Sequence, residues 1–354
     1  MKDFKWSDIT NPKKPVFIIA EAGSNWKSNN YDGDIKQAKK LIDVASKAGA
    51  NAIKFQTYRV ESVYVPNAGN VDYLKKGKTT EQITDIFKHH EMPYEMIPIL
   101  SDHCKEKNIL FMSSPFSIQD TKEIDPFVDL HKVASFEINH VRFLENLAKI
   151  NKPIIISTGA STYDEIDFVV NLFKENQHEQ IALLQCTSKY PSPIDAINLK
   201  TIPELQKRYN LPIGFSDHSI DPIICPILSV AYGARIIEKH FTLNKNLPGP
   251  DHSFALEPNE LKLMIKSIRL AEKTIGNGIK SILLEEEQLR RFATRAIQAI
   301  RDINQGEILQ DGVNIAVLRP GEQSRGIEPR FLDSVNGKRA SKNIKMGEGI
   351  MGYN

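Results

Sequence analysis

Polar side chains that could take part in catalysis stand at the ends of eight short apolar runs of this sequence. Residues two apart on a strand point to the same side, so Lys54 is expected beside Gln56, and Glu238 beside His240. The full set at the run ends is Glu21, Lys54, Gln56, Ser113, Ser114, Lys132, Ser135, Ser157, Thr158, Thr187, Ser188, Ser216, His218, Glu238 and His240. These residues would form one site if the eight ends met in space.

Two kinds of chemistry suit these residue types. Lysine binds phosphate as a point charge, so Lys54 and Lys132, together with the nearby hydroxyls, favour a phosphorylated ligand. His218 and His240 could share a divalent metal ion. Each signal is weak alone, because a single strand-end lysine is more often solvated and two histidines 22 residues apart prove no metal site. Their coincidence at eight run ends favours a functional site.

The apolar runs predict the elements that must position these side chains. Each run is almost continuously apolar, which suits parallel strands covered on both faces, and helical periodicity follows, as in 35–45 and 257–275. The runs are 16–23, 52–58, 109–114, 130–135, 153–158, 181–187, 212–217 and 235–242. Eight such units predict an α/β fold, a (β/α)8 TIM barrel, whose functional residues lie at the C-terminal strand ends. The competing fold is an open doubly wound sheet, but no glycine-rich phosphate fingerprint follows the first run.

The patterning divides the chain into three parts. The barrel is predicted over 1–276, a charged linker over 277–294, and a small β-rich domain over 295–354, where turn dipeptides separate β-like pieces. Residues 59–92 are too many for an ordinary connection between a strand and a helix. We expect this segment at the mouth of the barrel, where it could cover a ligand.

Composition excludes several classes of protein. The 46 basic and 44 acidic residues give a formal net charge of +2, which provides no general attraction for nucleic acid. Three cysteines cannot form a disulfide framework and suit a reducing compartment. The N-terminal residues contain no apolar signal core, and no run approaches the roughly 20 apolar residues of a membrane-spanning helix. We therefore expect a cytoplasmic globular protein with no nucleic-acid or membrane partner.

The same segments resemble the sialic acid synthase family, whose members condense phosphoenolpyruvate with amino sugars to make nonulosonic acids. The resemblance rests on the order and number of the matching motifs. In the barrel these are IIAEAGSN, AIKFQTY, FMSSPFS, HKVASFEINH, IISTGAS, LLQCTSKYPSP, IGFSDHS and IIEKHFTLNKNLPGPDHSFALEP. In the tail, VLRPGEQSRGI and GKRASKNIKMGE resemble the family's antifreeze-like, or SAF, domain.

The resemblance implies a reaction. Phosphoenolpyruvate would condense with the open-chain aldehyde of an N-acetylated amino sugar, N-acetylmannosamine or a diacetamido relative, and phosphate would leave by cleavage of its C–O bond. A divalent metal held by His218 and His240 would polarise the aldehyde oxygen. Manganese is the first expectation, with magnesium or cobalt as alternatives. Glu137 would take the proton of the attacking water, and Glu21 would orient metal-bound or sugar oxygens.

The resemblance also implies which residues hold each substrate. The residues that would bind phosphoenolpyruvate are Lys54, Ser114, Lys132, Ser135, Ser157, Ser188 and Ser216. The residues that would bind the sugar are Gln56, Tyr190, Asp251 and Arg319. In the family, the arginine at the position of Arg319 reaches the active site of the neighbouring subunit, so a domain-swapped homodimer is implied.

The chain departs from the family at positions near the predicted mouth. Trp26 stands where many members have histidine, and Phe136 stands where many have glycine. Both are expected to add apolar bulk to the sugar pocket. The family's loop asparagine corresponds to either Asn67 or Asn70.

The residue types by themselves are compatible with two other functions. A barrel aldolase would use Lys54 or Lys132 as a Schiff-base nucleophile, which borohydride trapping with pyruvate would detect. A non-catalytic carbohydrate-binding protein of surface polysaccharide assembly would use the tail as its binding module. The polar residues at the ends of the eight apolar runs argue against this second function, because a non-catalytic protein would not need the full set.

Overall fold

The structure is a computed structural model that describes residues 4–70 and 82–354. The chain forms two compact units. The first ends at Gly276, and the second runs from Asn277 to Asn354. The second unit therefore contains both the predicted linker and the predicted small domain.

The first unit contains the predicted eight-stranded parallel barrel. Its strands are β1 (Phe17–Gly23), β2 (Ala52–Thr57), β3 (Leu110–Pro115), β4 (His131–Val133), β5 (Ile154–Ser157), β6 (Ile181–Cys186), β7 (Ile213–Asp217) and β8 (Ile236–His240). The sheet order is β3-β2-β1-β8-β7-β6-β5-β4, and β1 pairs in parallel with both β2 and β8. β3 and β4 lie next to each other without a regular hydrogen-bonded ladder, so the barrel is nearly closed.

Alternation along the strands gives the barrel interior an apolar floor and a polar top. In β1, Phe17 and Ile19 belong to the inner apolar cluster, and Glu21 follows on the same side. In β8, Ile236 belongs to that cluster and Glu238 follows two residues later. Because the strands are parallel, these polar positions gather at the C-terminal end of the barrel.

The first helix precedes β1 and places Ile9 in the inner apolar cluster, whereas the later helices follow strands and most of them pack against the outside of the barrel. The helices are α1 (Ser7–Thr10), α2 (Tyr31–Ala48), α3 (Val60–Val63), α4 (Ile83–His89), α5 (Met96–Glu106), α6 (Ile118–Ile124), α7 (Val141–Leu147), α8 (Tyr163–Glu175), α9 (Thr201–Tyr209), α10 (Ile224–Ala231) and α11 (Pro258–Ile275). The buried stripe of α2 consists of Ala38, Leu41, Ile42 and Ala45. The helix begins where the Asn30 side chain accepts from the Gly33 N–H, and it ends at Gly49 with φ +93°.

The long connection at 59–92 contains two short helices, α3 and α4, in the part that the structure describes. Aromatic contacts join them: the Tyr64 and Phe87 ring centroids are 4.9 Å apart, and Tyr58 lies 5.2 Å from Phe87. Residues 71–81 of this connection lie outside the described residues.

The second unit has its own small core and a two-stranded antiparallel sheet. Within the predicted linker lies an exposed helix, α12 (Leu284–Ala293). β9 (Ala296–Ala299) pairs with β10 (Ile315–Leu318), and α13 (Leu332–Val335) follows. The predicted turns have left-handed glycines, with φ of +83° at Gly306, +72° at Gly312 and +83° at Gly337.

Within residues 4–70 and 82–354, no helix combines the length and apolarity that crossing a membrane requires.

Candidate active site

Lys54 in β2 anchors one half of a buried charged cluster. Its Nζ lies 2.7 Å from Glu21 Oε2 and 3.7 Å from Glu238 Oε1. It also donates to Ser114 Oγ at 3.0 Å, so one side chain joins β1, β2, β3 and β8. Gln56 extends the cluster, because its Nε2 donates to Glu21 Oε1 at 3.2 Å.

Lys132 in β4 anchors the other half of the cluster. Its Nζ donates to Ser157 Oγ at 2.7 Å and to the Val133 carbonyl at 2.8 Å, and it lies 4.0 Å from Glu238 Oε2. β4 and β8 are four strands apart in the sheet order, so this last contact crosses the barrel interior. Ser216 Oγ donates to Glu238 Oε1 at 3.4 Å. Glu238 is therefore shared between the two lysines.

The cluster contains two lysines, Lys54 and Lys132, and two carboxyls, Glu21 and Glu238, so its formal charges balance. Burial and the neighbouring charges shift the pKa of each group. Burial raises the pKa of Glu21 to about 7, although Lys54 opposes the shift. Burial works in the same direction on Glu238, but Lys132 and Lys54 outweigh it and hold the pKa of Glu238 below its ordinary value. Burial also works against the Lys54 ammonium, yet Glu21 and Glu238 raise the pKa of Lys54. Burial lowers the pKa of Lys132. Glu21 is thus the carboxyl of the cluster that changes protonation near neutral pH.

Hydroxyl groups converge on Gly159, just beyond β5. A Cβ at this position would lie 2.2 Å from Ser188 Oγ, 2.8 Å from Ser135 Oγ and 2.9 Å from Cys186 Sγ, so only glycine allows this approach. The Gly159 N–H donates to Ser135 Oγ at 3.0 Å. Ser188 Oγ is buried and has no hydrogen-bond partner among the described residues. Since buried polar atoms are nearly always paired, this hydroxyl is available to a ligand.

His218 and His240 lie side by side, with ring centroids 5.5 Å apart. His218 Nδ1 is 2.9 Å from the Thr187 carbonyl. Because a carbonyl oxygen only accepts, this nitrogen carries the proton and Nε2 remains free to act as a ligand. His240 Nδ1 is buried and finds no hydrogen-bond partner in the described part of the chain. Burial, reinforced by His218, holds the pKa of His240 well below its ordinary value, so its imidazole is neutral.

A cavity of about 500 Å³ opens next to the cluster. Six residues with a predicted site role line it: Gln56, Ser135, Glu137, Tyr190, His240 and Asp251. Lys54, Lys132 and His218 are not among the described lining residues. His218 packs on the lining residue Tyr190, with ring centroids 4.1 Å apart, and Glu21 joins Lys54 to the lining residue Gln56. The structure therefore brings the predicted barrel residues together, partly as a cavity wall and partly as a buried network behind it.

Asp251 is held in the cavity wall by the end of β1. Its Oδ2 accepts from the Ser24 N–H at 3.0 Å and from Ser24 Oγ at 2.9 Å. Gly23 has φ +51°, and a Cβ there would lie 2.5 Å from the same oxygen. Glycine at this position therefore permits both the left-handed backbone and the close approach of the carboxylate.

Glu137 belongs to a single 3₁₀ turn (Ser135–Glu137) that follows β4. It lines the cavity, and burial, with a smaller contribution from Asp120, raises the pKa of Glu137 to about 7. A carboxyl with this pKa can both take and return a proton at neutral pH.

Three sequence-based expectations need correction or remain predictions. Phe136 lines the cavity as expected, but Trp26 does not, because it is 1% exposed and packs in the core between strands and helices. Asn67 and Asn70 are both exposed, and neither is among the described residues that line the cavity. Arg319 follows β10 in the second unit and is exposed, so its contact with a neighbouring subunit remains a prediction.

Sequence reasoning assigned no role to several residues of the site. Glu238 stood among the run ends, and its spacing of two from His240 is the signal that could have identified it. Tyr58 and Phe116 also line the cavity. They directly follow β2 and β3, and this position at the strand ends is the signal that could have identified them. His90 also lines the cavity, and nothing in the sequence distinguishes it from its exposed neighbour His89.

Comparison with known proteins gives matches along almost the whole chain. The model of the NeuB family matches residues 41–280, and the model of the SAF domain matches residues 294–352. The spore coat polysaccharide biosynthesis protein SpsE of Bacillus subtilis is 38% identical, over 95% of this chain and 92% of that protein. The pseudaminic acid synthase of Campylobacter jejuni is 38% identical, over 96% of each chain.

A solved structure supports the same relationship. The crystal structure of an N-acetylneuraminic acid (sialic acid) synthetase from Leptospira borgpetersenii, in complex with citrate, is 34% identical and superposes with a TM-score of 0.68. The match covers 78% of this chain and 90% of that one.

Proposed function

Because the chain belongs to the NeuB family and carries a SAF domain, we propose that it condenses phosphoenolpyruvate with an N-acetylated amino sugar aldehyde, giving a nonulosonic acid and phosphate. The relative from C. jejuni is named a pseudaminic acid synthase, and the solved relative is named a sialic acid synthetase. Both names describe synthases of nonulosonic acids, which supports a transferase-type synthase here.

The observation that carries this proposal is the cluster of two buried lysines with surrounding hydroxyls. Lys54 and Lys132 place two ammonium groups at the C-terminal end of the barrel, and each already contacts a serine hydroxyl. Phosphoenolpyruvate carries a carboxylate and a phosphate, which suit two point charges with nearby donors. The bound anion would compete with Glu21 and Glu238 for the ammonium groups. The further hydroxyls proposed to bind it are those of Ser114, Ser135, Ser157, Ser188 and Ser216.

The sugar would occupy the cavity. Gln56, Tyr190 and Asp251 line it next to His240 and supply amide, phenol and carboxylate groups that suit hydroxyl and acylamino groups. The aldehyde would then lie near the charged cluster, because Gln56 belongs to both.

The two histidines fit a divalent metal, which we propose to be Mn²⁺, with Mg²⁺ or Co²⁺ as alternatives. The unpaired buried Nδ1 of His240 and the free Nε2 of His218 provide two imidazole ligands. No group of three or more His, Cys, Asp or Glu residues in the described part of the chain could hold a metal by itself. Substrate or water would therefore complete the coordination. When bound, the metal supplies Lewis-acid polarisation of the aldehyde oxygen.

The side chains of the barrel account for the remaining steps. Lys54 and Lys132 hold the phosphoenolpyruvate while its methylene carbon bonds to the aldehyde carbon. Water then adds to the former enol carbon, and Glu137 takes one of its protons, which balances the proton that the former aldehyde oxygen takes up. The C–O bond to phosphate breaks, the electron pair and the remaining hydroxyl proton leave with phosphate, and a 2-keto acid remains. Glu21, bonded to Lys54 and Gln56, orients oxygens at the reacting end.

Phosphate release from phosphoenolpyruvate labelled with ¹⁸O at the bridging position tests the proposal. We expect release only with an N-acetylated amino sugar and Mn²⁺, loss of release on chelation, and the label in the phosphate. Label retained in the organic product, or no release with N-acetylmannosamine, its 6-phosphate and the diacetamido sugars, would refute the reaction.

One observation favours a second candidate, an imine-forming aldolase. The pKa of Lys132 is lowered by burial, as a Schiff-base lysine requires. Borohydride treatment with pyruvate separates the two reactions, because the proposed condensation forms no imine. A stable adduct at Lys132 would favour the aldolase.

Glu137 leads to a prediction about pH. Its carboxylate form is the proton acceptor, and its pKa is raised to about 7, so kcat should rise with pH through about 7 and then level off. Glu137→Gln should lower kcat by about 10²- to 10⁴-fold and remove that rise. Initial rates from pH 5.5 to 9 measure both effects. An unchanged rise in the variant would assign the titration to another group.

Arg319 leads to a prediction about the dimer. If its guanidinium contacts the acyl group of a sugar bound to the other subunit, Arg319→Ala should raise the KM for the sugar about 10- to 100-fold and spare that for phosphoenolpyruvate. Arg330→Ala, at another exposed arginine of the second unit, is the control.

Subunit mixing then tests the domain swap. Hybrids of an Arg319→Ala chain with a His240→Ala chain would contain one intact site only if the tail reaches the partner. We expect activity at low sugar concentration to exceed that of either parent. A hybrid no better than the parents would mean that each tail serves its own barrel.

A further inference from the structure

We propose that Lys239 and Asp217 are positioning residues, which hold the two histidines of the proposed metal site at a fixed separation. This inference rests on the proposed function and adds to it two residues that would touch neither the metal nor a substrate. Each is the chain neighbour of one histidine, because Asp217 directly precedes His218 and Lys239 directly precedes His240.

Asp217 and Lys239 lie on the outer side of the barrel strands, behind the site. Ser216 and Glu238 are hydrogen-bonded to each other in the barrel interior, so the residue after each of them points to the opposite side. Asp217 and Lys239 face each other across the parallel pairing of β7 with β8, and each is 1% exposed. Because α9 and α10 pack against β7 on that side, protein groups rather than water must satisfy both charges.

The Lys239 ammonium gathers oxygen atoms from the segment that contains His218. Its Nζ lies 2.7 Å from Asp217 Oδ2, and it donates to Ser219 Oγ at 3.1 Å. It also donates to the Asp221 carbonyl at 3.2 Å and to the Ser219 carbonyl. Asp217 Oδ1 in turn accepts from the Ser219 N–H at 2.8 Å. The segment 217–221 is thus folded around one side chain of β8.

These contacts continue the connection between β7 and β8 beyond the point where the strands stop pairing. The regular pairing ends at Asp217, one residue before His218. His218 is also held from the β6 side, because its carbonyl accepts from the Ser192 N–H and its Nδ1 lies 2.9 Å from the Thr187 carbonyl. The pair of Lys239 and Asp217 adds a tie to the strand that carries His240.

Geometry explains an ion pair at this place better than stability does. A buried ion pair is seldom more stabilising than an apolar pair of the same volume, because both charges lose their water. Its contacts are directional, however, and ligands must reach a metal within about 0.2 Å of the ideal distance. By tying the two neighbouring backbones together, the pair would keep the rings of His218 and His240 at their centroid separation of 5.5 Å.

A double variant that removes both charges tests the inference. Lys239→Met with Asp217→Asn gives neutral side chains of similar size, and the amide oxygen can still accept from the Ser219 N–H. We expect the affinity for Mn²⁺, titrated by electron paramagnetic resonance without substrate, to fall about 10- to 100-fold, as when partners of metal ligands are removed. Unchanged affinity would overturn the inference. The matched control, Lys152→Met with Asp125→Asn, removes a Lys–Asp pair at the other end of the barrel and should bind Mn²⁺ normally.

Kinetics separate positioning of the histidines from general support of the site. At saturating Mn²⁺ the double variant should recover phosphate release, with the KM for phosphoenolpyruvate unchanged. A raised KM at saturating Mn²⁺ would overturn the specific role, because the pair would then support the whole site.

A single variant serves if urea unfolding shows that the double variant is not folded. Asp217→Asn alone keeps three of the four oxygen atoms around the Lys239 ammonium. It should weaken Mn²⁺ binding by about tenfold. Binding as tight as that of the unmodified protein would overturn the inference.

Crystal structures without metal keep this inference separable from the proposed function. If the unmodified protein binds no Mn²⁺, the proposed metal is wrong, but structures of the unmodified protein and the variant still measure the separation of the two imidazoles. We expect that separation to change by more than about 0.5 Å in the variant. An unchanged separation would overturn the positioning role.

Discussion

His240→Ala is expected to lower phosphate release by about a thousandfold, because it removes one of the two imidazoles proposed to hold the metal. The side chain has a buried nitrogen without a partner among the described residues, and its ring lies 5.5 Å from that of His218. Titration with Mn²⁺, followed by electron paramagnetic resonance without substrate, should show weaker metal binding by the same variant. His218→Ala should behave in the same way.

The control for this prediction is a histidine outside the cavity. His103 lies in α5, where its Nε2 is 3.0 Å from Asp43 Oδ1. His103→Ala should therefore bind Mn²⁺ and release phosphate as the unmodified protein does. Full turnover and unchanged Mn²⁺ affinity in His240→Ala would remove this residue from the proposed metal site.

Lys54→Met is expected to abolish saturation by phosphoenolpyruvate and to lower the free energy of unfolding by about 3–5 kcal/mol. The loss of stability follows from burial, because Glu21 and Glu238 would remain in the barrel interior without the ammonium that lies 2.7 Å and 3.7 Å from them. Urea unfolding gives the stability, and initial rates at increasing phosphoenolpyruvate give the binding.

A second substitution separates the two effects. Lys54→Met combined with Glu21→Gln removes the unpaired charge and should recover about 2 kcal/mol, while turnover stays lost. Lys152→Met is the control, since Lys152 pairs with Asp125 at 3.0 Å and precedes β5, at the other end of the barrel from the site. Normal saturation by phosphoenolpyruvate in Lys54→Met would contradict the proposed role, even if the protein were destabilised as expected.

The eight strands and the inward side chains could be predicted because both depend on local patterns. A parallel strand covered on both faces is apolar along its length, so the run 52–58 predicted β2 at Ala52–Thr57. Side chains alternate along a strand, so Glu238 and His240 had to share a side. The barrel then brings the C-terminal strand ends together, whatever the connections do.

The partners within the site depend on distances between strands that are remote in sequence. The sequence places Lys132 and Glu238 at the ends of apolar runs, but only the nearly closed barrel brings β4 opposite β8 and leaves their charged atoms 4.0 Å apart. For Trp26, the prediction from the sequence was wrong for the same reason. Its position after β1 predicted a place in the sugar pocket, but packing between strands and helices buries it in the core.

The sequence by itself determined the barrel, the polar residues at its C-terminal end and the β-rich tail, because alternation, apolar runs and turn residues are properties of neighbouring positions. Only the tertiary structure decided which charged residues pair and which surfaces line the cavity. Part of that lining (Val63, Tyr64, Ile86, Phe87 and His90) comes from the connection at 59–92, whose composition is mixed and has no single period. Where such a segment packs depends on the surfaces around it, and those surfaces exist only once the barrel has formed.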